Sequence, residues 1–339
     1  MSLFLPTVMT MSREHPQGQT AVYADVMKAD RVAFVGARLV LALTVLLALV
    51  ACGQKARHAT TTAPTADARS GPRLSFSYDL ARPLGFVDRA VSERHGSISV
   101  HDVVFMAGGD KVEGYLVEPA GSKRLPAVVL VHGSGGDRRQ LLTHAIALAR
   151  LGVVAMTITE PSTSHPPPQP ATVSELLAET KSVTLRDVVA ARRAADVLAS
   201  RPTVDARRLG YLGWSAGAKT GAFVAASDAR FRALALLSAG ADTLSTFVVA
   251  APKAIRPLVR RELGSVDPLR YVALARPGTL LLEDGIRDEV VPRNALENMI
   301  HAAPPKTVVR WYPAAHALNA HAYDEAFTWL LKKLGVATH

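Results

Sequence analysis

Short runs of apolar, β-branched residues alternate along this chain with longer segments in which apolar residues recur at helical spacing. The unbroken run Ala127–Val131 is typical of a strand buried on both faces of a sheet. Val173–Arg201 has apolar residues near helical spacing, which predicts a long helix. The other predicted strands are 153–159, 209–212, 231–238, 279–282 and 307–312, and the other predicted helices are 140–151, 293–303 and 323–334. This alternation predicts one α/β domain, with a mostly parallel twisted sheet and helices on both faces.

Two further segments, Ile98–Met106 and Lys111–Glu118, alternate between apolar and polar residues and are joined by a glycine-containing turn. They predict an antiparallel hairpin at the edge of the sheet. Before them, we predict a short helix around Gly85–Glu93. Residues 160–172 are rich in proline and predict an irregular loop. Residues 241–273 have a helical pattern interrupted by three prolines, which favours a small lid insertion.

The N-terminal part of the chain has the pattern of an export signal. Arg31 and Arg38 precede an apolar run over residues 39–51, which is too short to span a bilayer but suits the core of a secretory signal. The run ends at Cys52, and Leu49–Cys52 resembles the bacterial lipobox. That resemblance implies a lipid-modified cysteine and a protein anchored in the bacterial cell envelope, on its periplasmic or extracellular side. An ordinary secretory signal with a chance cysteine is the alternative.

These features divide the chain into residues 1–51 as extension and signal, 52–75 as a flexible tether rich in Ala, Thr and Pro, and 76–339 as the folded domain. The first 26 residues are too polar and too long for the start of a signal, so we expect translation to begin at Met27. An unacylated precursor that starts well before Met27 would contradict this.

Composition narrows the classes of partner. The 339 residues are 49% hydrophobic and 20% charged, with a net charge of +10 and a single cysteine. The chain can bury a large core and has no intramolecular disulfide. The arginines are scattered without aromatic interleaving, so we predict a basic, solvated surface and no nucleic-acid partner. Anionic lipid headgroups are the more plausible partner.

The strand-like run Leu209–Leu212 leads into Gly213, Ser215 and Gly217, which form a Gly-x-Ser-x-Gly motif, and a small-residue helix pattern follows over Ala218–Ala226. Such a turn between strand and helix needs residues with almost no side chain beside the serine. It also places the serine hydroxyl at the positive end of the helix. We therefore interpret the motif as a nucleophile elbow.

A serine becomes a nucleophile when a base takes its proton and an acid orients the base. Downstream of Ser215, Asp288 follows one predicted strand and His316 follows the next. Because parallel strands end at the same edge of the sheet, we expect the three side chains to meet there.

The surrounding motifs resemble those of the α/β-hydrolase superfamily, in particular its dienelactone-hydrolase-like and prolyl-oligopeptidase-like branches. Asp284–Pro292 looks like the family's acid loop, Tyr312–His316 is similar to its histidine loop, and His132–Gly136 resembles its oxyanion-hole loop. The resemblance covers residues 97–335. It implies an α/β-hydrolase fold. Dienelactone hydrolase itself uses a cysteine nucleophile, whereas this chain has Ser215, so that specific reaction is in doubt.

The resemblance implies two-step acyl transfer, in which Ser215 attacks a carbonyl and His316, oriented by Asp288, takes its proton. The backbone N–H groups of Ala216 and Ser134 would form the oxyanion hole, the second by resemblance. We expect cleavage of a small-molecule carboxylic ester without a cofactor or zinc. A peptidase, amidase or thioesterase of the same fold is an alternative, as is a non-catalytic envelope lipoprotein that binds a partner in the cleft.

Several neighbouring residues compete for these roles. Asp284 is a rival acid that we interpret as a turn-forming residue, and His321 is a rival base that we place on the surface of the last helix. We expect His132 to be structural. Trp214 either packs under the elbow or lines the acyl pocket.

Overall fold

The structure is a computed structural model that describes residues 73–121, 123–240 and 243–336, without the side chains of residues 243, 245 and 246. The chain divides into Met1–Arg57 and His58–His339, and all described residues belong to the second unit. The predicted signal, Cys52 and residues 52–72 of the predicted tether lie outside the described residues.

The elements alternate as the hydrophobic pattern predicts. The strands are β1 (Val87–His95), β2 (Ile98–Ala107), β3 (Asp110–Pro119), β4 (Leu125–Val131), β5 (Val154–Ile158), β6 (Val204–Trp214), β7 (Phe231–Leu237), β8 (Leu280–Gly285) and β9 (Val308–Tyr312). The helices are α1 (Leu142–Arg150), α2 (Pro161–Ser164), α3 (Val173–Ser200), α4 (Ala216–Ser227), α5 (Thr243–Ala250), α6 (Arg256–Gly264), α7 (Pro268–Val272), α8 (Arg293–Ala302) and α9 (Ala320–Lys333), with a 3₁₀ turn at Lys253–Ile255.

The described strands form one sheet in the order β1-β2-β3-β5-β4-β6-β7-β8-β9. The predicted hairpin is present, since β2 and β3 pair antiparallel from Ile98 opposite Pro119 to Ala107 opposite Asp110. From β5 to β9 every neighbouring pair is parallel. The carboxyl ends of these strands therefore lie at one edge of the sheet, where ligands bind in folds of this kind.

Helices cover both faces of the sheet. Apolar side chains of α3, α4 and α7 pack on one face in a common core with alternating residues of β4, β5 and β6. α1 and α9 lie on the other face, where the ring centroids of His144 and Tyr323 are 4.1 Å apart. The predicted α/β fold class is confirmed.

The prediction of a short helix around Gly85–Glu93 is wrong, because residues 87–95 form strand β1. β1 is an edge strand that pairs antiparallel with β2, and every one of its side chains except that of His95 is exposed. An exposed strand has no apolar alternation to identify it, and backbone pairing with β2 overrides the local preference. Gly85, at φ +53°, precedes the strand in a conformation that glycine adopts readily.

Two details of the loops also differ. The proline-rich loop contains the one-turn helix α2. Asp284 is not a turn residue, because it lies within β8, opposite Trp311 of β9, and is 2% exposed. The apolar run of β8 ends at Leu282, so the strand's last residues have no hydrophobic signal.

The segment between β7 and β8 is helical, as predicted, and comprises α5, the 3₁₀ turn, α6 and α7. Val248, Val259 and Leu263 form a separate small core with Leu177 of α3. The segment is therefore packed on the α3 side of the sheet. No helix in the described part of the chain is long and apolar enough to cross a membrane.

Candidate active site

Ser215 occupies the sharp turn between β6 and α4. Its backbone has φ 56° and ψ −111°, a region that costs on the order of 1–3 kcal/mol for a residue with a side chain. A Cβ atom on Gly213 would overlap the Gly217 carbonyl, and one on Gly217 would overlap the carbonyls of Val131 and His132. The two glycines are therefore needed for this turn. Ser215 N–H donates to the Leu237 carbonyl at 2.8 Å, which fixes the turn to β7.

The side chains of Ser215, His316 and Asp288 form a continuous chain of hydrogen bonds. Ser215 Oγ lies 2.9 Å from His316 Nε2, and His316 Nδ1 lies 2.8 Å from Asp288 Oδ2. The His316 and Asp288 side chains are 4% and 2% exposed, so this chain is shielded from water. The structure brings together the three side chains singled out in the sequence.

Asp288 is held as a carboxylate. Its burial favours a higher pKa, but hydrogen bonds from His316 and from the Val291 and Val290 N–H groups outweigh burial and lower the pKa below its usual value. The backbone donors bind Oδ1, which leaves Oδ2 for the imidazole. A carboxylate at this position requires the proton on His316 Nδ1 and leaves Nε2 free to accept from Ser215.

Three side chains fix the main chain of His316. Its carbonyl accepts from Trp214 Nε1 at 3.0 Å and from Ser238 Oγ at 2.9 Å, and its N–H donates to Glu289 Oε2 at 3.1 Å. Trp214 is 5% exposed, and Ser238 is fully buried with φ 52°. Trp214 therefore packs under the elbow and holds the histidine loop, which decides between the two roles expected for it.

We expect Trp214→Phe and Ser238→Gly each to lower kcat by roughly threefold to tenfold, because each removes one donor from the His316 carbonyl. Phenylalanine keeps an aromatic ring at residue 214, and glycine relaxes the positive φ at residue 238. KM should stay within about twofold, because neither donor contacts the substrate in this account. Steady-state kinetics checks this, with the buried Trp329 of α9 changed to Phe as the matched control. An equal loss in that control would contradict a positioning role.

The loop after β4 lies against the nucleophile, since a Cβ atom on Gly133 would come within 2.7 Å of the Trp214 ring and 3.4 Å of Ser215 Cβ. Gly133 N–H donates to Gln140 Oε1 at 2.8 Å. Neither the N–H of Ser134 nor that of Ala216 donates to an acceptor among the described residues. The two N–H groups predicted from the sequence as oxyanion donors are therefore not used by a hydrogen bond within the described part of the chain.

His132 hydrogen-bonds within the loop after β4, as expected for a structural histidine. It is 1% exposed, and its Nε2 accepts from Glu160 N–H at 3.0 Å, so Nδ1 carries the proton and donates to the Gly133 carbonyl at 2.7 Å. Burial lowers the pKa of His132, which favours this neutral form. Fixing the Gly133 carbonyl also fixes the plane of the peptide that carries Ser134 N–H.

A buried carboxyl pair lies behind the loop. Glu160 Oε1 accepts from Thr220 of α4 at 2.7 Å, and Asp187 Oδ1 of α3 accepts from Ser162 N–H at 3.0 Å. Burial raises the pKa of both groups, and the charge of Glu160 raises that of Asp187 further. The raised pKa values favour a proton on these carboxyls, and their hydrogen bonds connect α3 and the elbow helix to the segment after β5.

The rival residues lie outside the hydrogen-bonded chain. Asp284 is buried, its Oδ1 has no partner among the described residues, and burial followed by the Asp288 charge raises its pKa to about 7. His321 is exposed on α9, with its ring 5.8 Å from that of Tyr312. The described residues also contain no cluster of His, Cys, Asp and Glu suited to a metal ion.

We expect Asp284→Asn to stabilise the protein above neutral pH. A carboxyl whose folded pKa is raised to about 7 binds a proton that the unfolded chain has lost, so its contribution to stability falls as pH rises from about 4 to about 7. By linkage this costs up to about 4 kcal/mol. Urea unfolding at pH 5 and pH 8 should show a smaller loss in Asp284→Asn than in the wild type. An Asp79→Asn variant, changed at an exposed carboxylate, should keep the wild-type slope, and equal slopes in all three proteins would contradict the assignment.

Four residues that hydrogen-bond the segments around the site were not predicted from the sequence, namely Ser238, Glu289, Glu160 and Asp187. Their contacts join positions far apart in the chain, such as Ser238 and His316, 78 residues apart. Two of them had a weak signal, because Glu160 and Ser238 are polar residues directly after apolar strands, where Asp288 and His316 also lie.

Comparison with solved structures shows the same fold in several esterases. Acetyl xylan esterase from Paenibacillus sp. R4 matches with a TM-score of 0.59 and 20% identity over 74% of this chain and 89% of that one. Acetyl xylan esterase 1 from Thermoanaerobacterium sp. JW/SL YS485 matches with a TM-score of 0.61 and 16% identity over 80% and 98%. A putative dienelactone hydrolase from Klebsiella pneumoniae matches with a TM-score of 0.53 and 17% identity over 71% and 100%.

The comparison with curated proteins gives no match. The comparison with protein families gives the dienelactone hydrolase family, whose model matches residues 112–326. That range is more than half of the chain, and it contains the elbow, the acid loop and the histidine loop. The chain therefore belongs to the dienelactone hydrolase family and is a carboxylic ester hydrolase of the α/β-hydrolase fold.

Proposed function

We propose that this protein hydrolyses small-molecule carboxylic esters through a Ser215–His316–Asp288 triad and a covalent acyl-enzyme. The observation that carries the proposal is the pair of distances of 2.9 Å from Ser215 Oγ to His316 Nε2 and 2.8 Å from His316 Nδ1 to Asp288 Oδ2. Both are hydrogen-bond distances, and they run in the order nucleophile, base and orienting acid.

In the first step, Ser215 Oγ attacks the ester carbonyl while His316 Nε2 takes its proton. Asp288 accepts from Nδ1–H throughout and stabilises the imidazolium that forms. The proton on Nε2 then passes to the leaving alcohol, and the acyl group stays on Ser215. In the second step, His316 takes a proton from water, the resulting hydroxide equivalent attacks the acyl carbon, and Ser215 recovers its proton as the acid leaves.

The negative oxygen of each tetrahedral intermediate would be bound by the Ala216 and Ser134 N–H groups. Ala216 is the first residue of α4, where unpaired N–H groups and the helix dipole favour negative charge. Removal of one such donor typically costs about 3–4 kcal/mol of transition-state stabilisation. The proposal is supported by the absence of a hydrogen-bond acceptor for either N–H among the described residues and by the approach of Gly133 to Ser215.

The proposed substrate class is narrowed by family and location. Fold neighbours include acetyl xylan esterases and a glucuronoyl esterase from Solibacter usitatus, which supports an ester over an amide or thioester in this chain.

We also propose that the protein is exported and anchored to a membrane through Cys52. A Cys52→Ser variant should then leave the membrane fraction, and retention there would contradict the anchor. Export makes a coenzyme A thioester substrate implausible, since coenzyme A is cytosolic.

A panel of p-nitrophenyl esters of increasing acyl length, with a p-nitroanilide and a thioester of the preferred acyl group, tests the proposed function. We expect the ester to be cleaved fastest, with a burst of p-nitrophenol wherever deacylation is the slower step. A faster anilide or thioester would reassign the reaction, and folded protein with no activity on the panel would favour the non-catalytic binding role.

A further inference from the structure

The segment between β7 and β8 exposes several basic and apolar side chains to solvent, a set that we call the basic face. It consists of Val249, Lys253, Leu258, Arg260 and Arg261. Val249 is 70% exposed and Leu258 is 38% exposed, although both are aliphatic. The three cationic side chains are exposed as well, and that of Arg261 is exposed by 69%. A helical surface with basic and aliphatic side chains together is typical of segments that lie on membranes.

The arrangement of α6 separates this face from the protein core. Val259 and Leu263, four residues apart, are buried against Leu177 of α3. Leu258 and Arg261 stand on the opposite side of the same helix, because consecutive residues are about 100° apart. Leu258 is thus not one of the residues that form the small core between α6 and α3, and 38% of its surface is exposed.

The charge of the segment is strongly one-sided. Residues 249–264 contain four cations and one acid, Glu262. Glu262 binds Lys181 of α3 at 2.7 Å and Arg261 at 2.9 Å, so it is shared between two cations. Arg256 donates to the carbonyls of Ala251 and Val249. On the adjacent helix α3, Glu175 is engaged by the N–H groups of residues 171 and 172 in the helix cap.

The chain leading back to Cys52 joins the domain beside this face. Leu74 N–H donates to the Ser265 carbonyl at 3.1 Å, and Tyr271 Oη lies 2.6 Å from the Ser265 carbonyl and 3.2 Å from the Leu74 carbonyl. Ser265 directly follows α6. Cys52 lies 22 residues before Leu74. A fully extended chain of that length spans about 75 Å. A tether of that length lets the basic face reach a bilayer in which Cys52 is anchored.

We propose that the basic face docks on an anionic phospholipid surface, with Val249 and Leu258 entering the headgroup region and Lys253, Arg260 and Arg261 binding lipid phosphates. Charge complementarity selects anionic over zwitterionic lipid. The proposal does not depend on the catalytic roles given above, and it predicts which side of the domain faces the membrane.

The single cysteine of the chain allows a direct test. In the full-length Cys52→Ser protein, Val249→Cys is labelled with an environment-sensitive fluorophore, and Asp324→Cys on α9, across the sheet, is labelled as the control. With vesicles of phosphatidylglycerol and phosphatidylcholine, the label at residue 249 should shift to the blue and the label at residue 324 should not. Vesicles of phosphatidylcholine alone should give little shift, and salt should weaken the response.

Charge reversal provides the matched comparison. In the Val249→Cys background, Arg260→Glu with Arg261→Glu should raise the vesicle concentration for half-maximal shift by roughly tenfold or more. Lys332→Glu with Lys333→Glu makes the same change of charge on α9 and should have a much smaller effect. Equal responses to both vesicle types, equal shifts at both labels or equal effects of the two charge reversals would overturn the proposal. A shift with heparin but not with vesicles would overturn it in favour of a soluble polyanion.

Discussion

Ser215→Ala should lower kcat on the preferred ester by about 10⁴-fold or more while leaving the fold intact. Without Oγ there is no nucleophile for His316 to activate, and the residual rate comes from the oxyanion donors and substrate binding alone. Alanine carries the same Cβ as serine, so the positive φ of the elbow costs about the same in both proteins.

The measurement is steady-state turnover with purified wild-type protein and variants, together with thermal unfolding to check the fold. Ser227→Ala, at the far end of the same helix, is the control for loss of a hydroxyl on α4. We expect that control to keep kcat within about twofold. A Ser215→Ala protein that retained more than a few per cent of wild-type turnover would contradict the assignment of the nucleophile.

Asp288→Asn should lower kcat by about 10³- to 10⁴-fold. The amide can donate to His316 Nδ1, which favours the imidazole form with the proton on Nε2, and that form cannot accept from Ser215. Because the Val290 and Val291 N–H groups still find an oxygen acceptor in asparagine, the loop should keep its conformation.

Asp284→Asn is the matched control for this change. Asp284 lies four residues earlier, is also a buried side chain, and has no hydrogen bond to His316 among those found in the described residues. We expect its kcat to stay within about threefold of the wild type at pH 7, since it is not part of the hydrogen-bonded chain. Kinetics on the two variants side by side decides between the acids, and a larger loss in Asp284→Asn would exchange their roles.

The sheet and its order of helices follow from local patterns that the sequence displays directly. Runs such as Ala127–Val131 and the helical spacing over Val173–Arg201 mark elements whose burial dominates their stability. Strand β1 was not predicted, because burial does not dominate its stability. Its side chains face solvent, and it is a strand only because β2 offers hydrogen-bond partners.

The parts of the candidate site that lie in short sequence motifs could be predicted from the sequence. Gly213 and Gly217 are required by close backbone approach, and the residues after β8 and β9 are brought together by the parallel sheet. The support behind the site was not predictable. Trp214 and Ser238 reach the His316 carbonyl across 102 and 78 residues of chain, and no local pattern encodes such contacts.

The residue at which the folded domain begins was also not predictable from local sequence patterns. Residues 73–75 lie in a stretch whose composition predicts a tether, yet Leu74 makes backbone contacts with Ser265 and with the hydroxyl of Tyr271. A single apolar residue among serines and arginines gives no periodicity. Only the three-dimensional arrangement shows what it packs against.

Labelling with a fluorophosphonate probe, followed by peptide mass spectrometry, tests the central claim most directly. The probe forms a stable phosphonyl ester with a serine that a neighbouring base activates. We predict one adduct, on the peptide that contains Ser215, formed in the wild type and absent from Ser215→Ala. Folded wild-type protein that remains unlabelled, or that carries the adduct on another residue, would contradict the proposed triad.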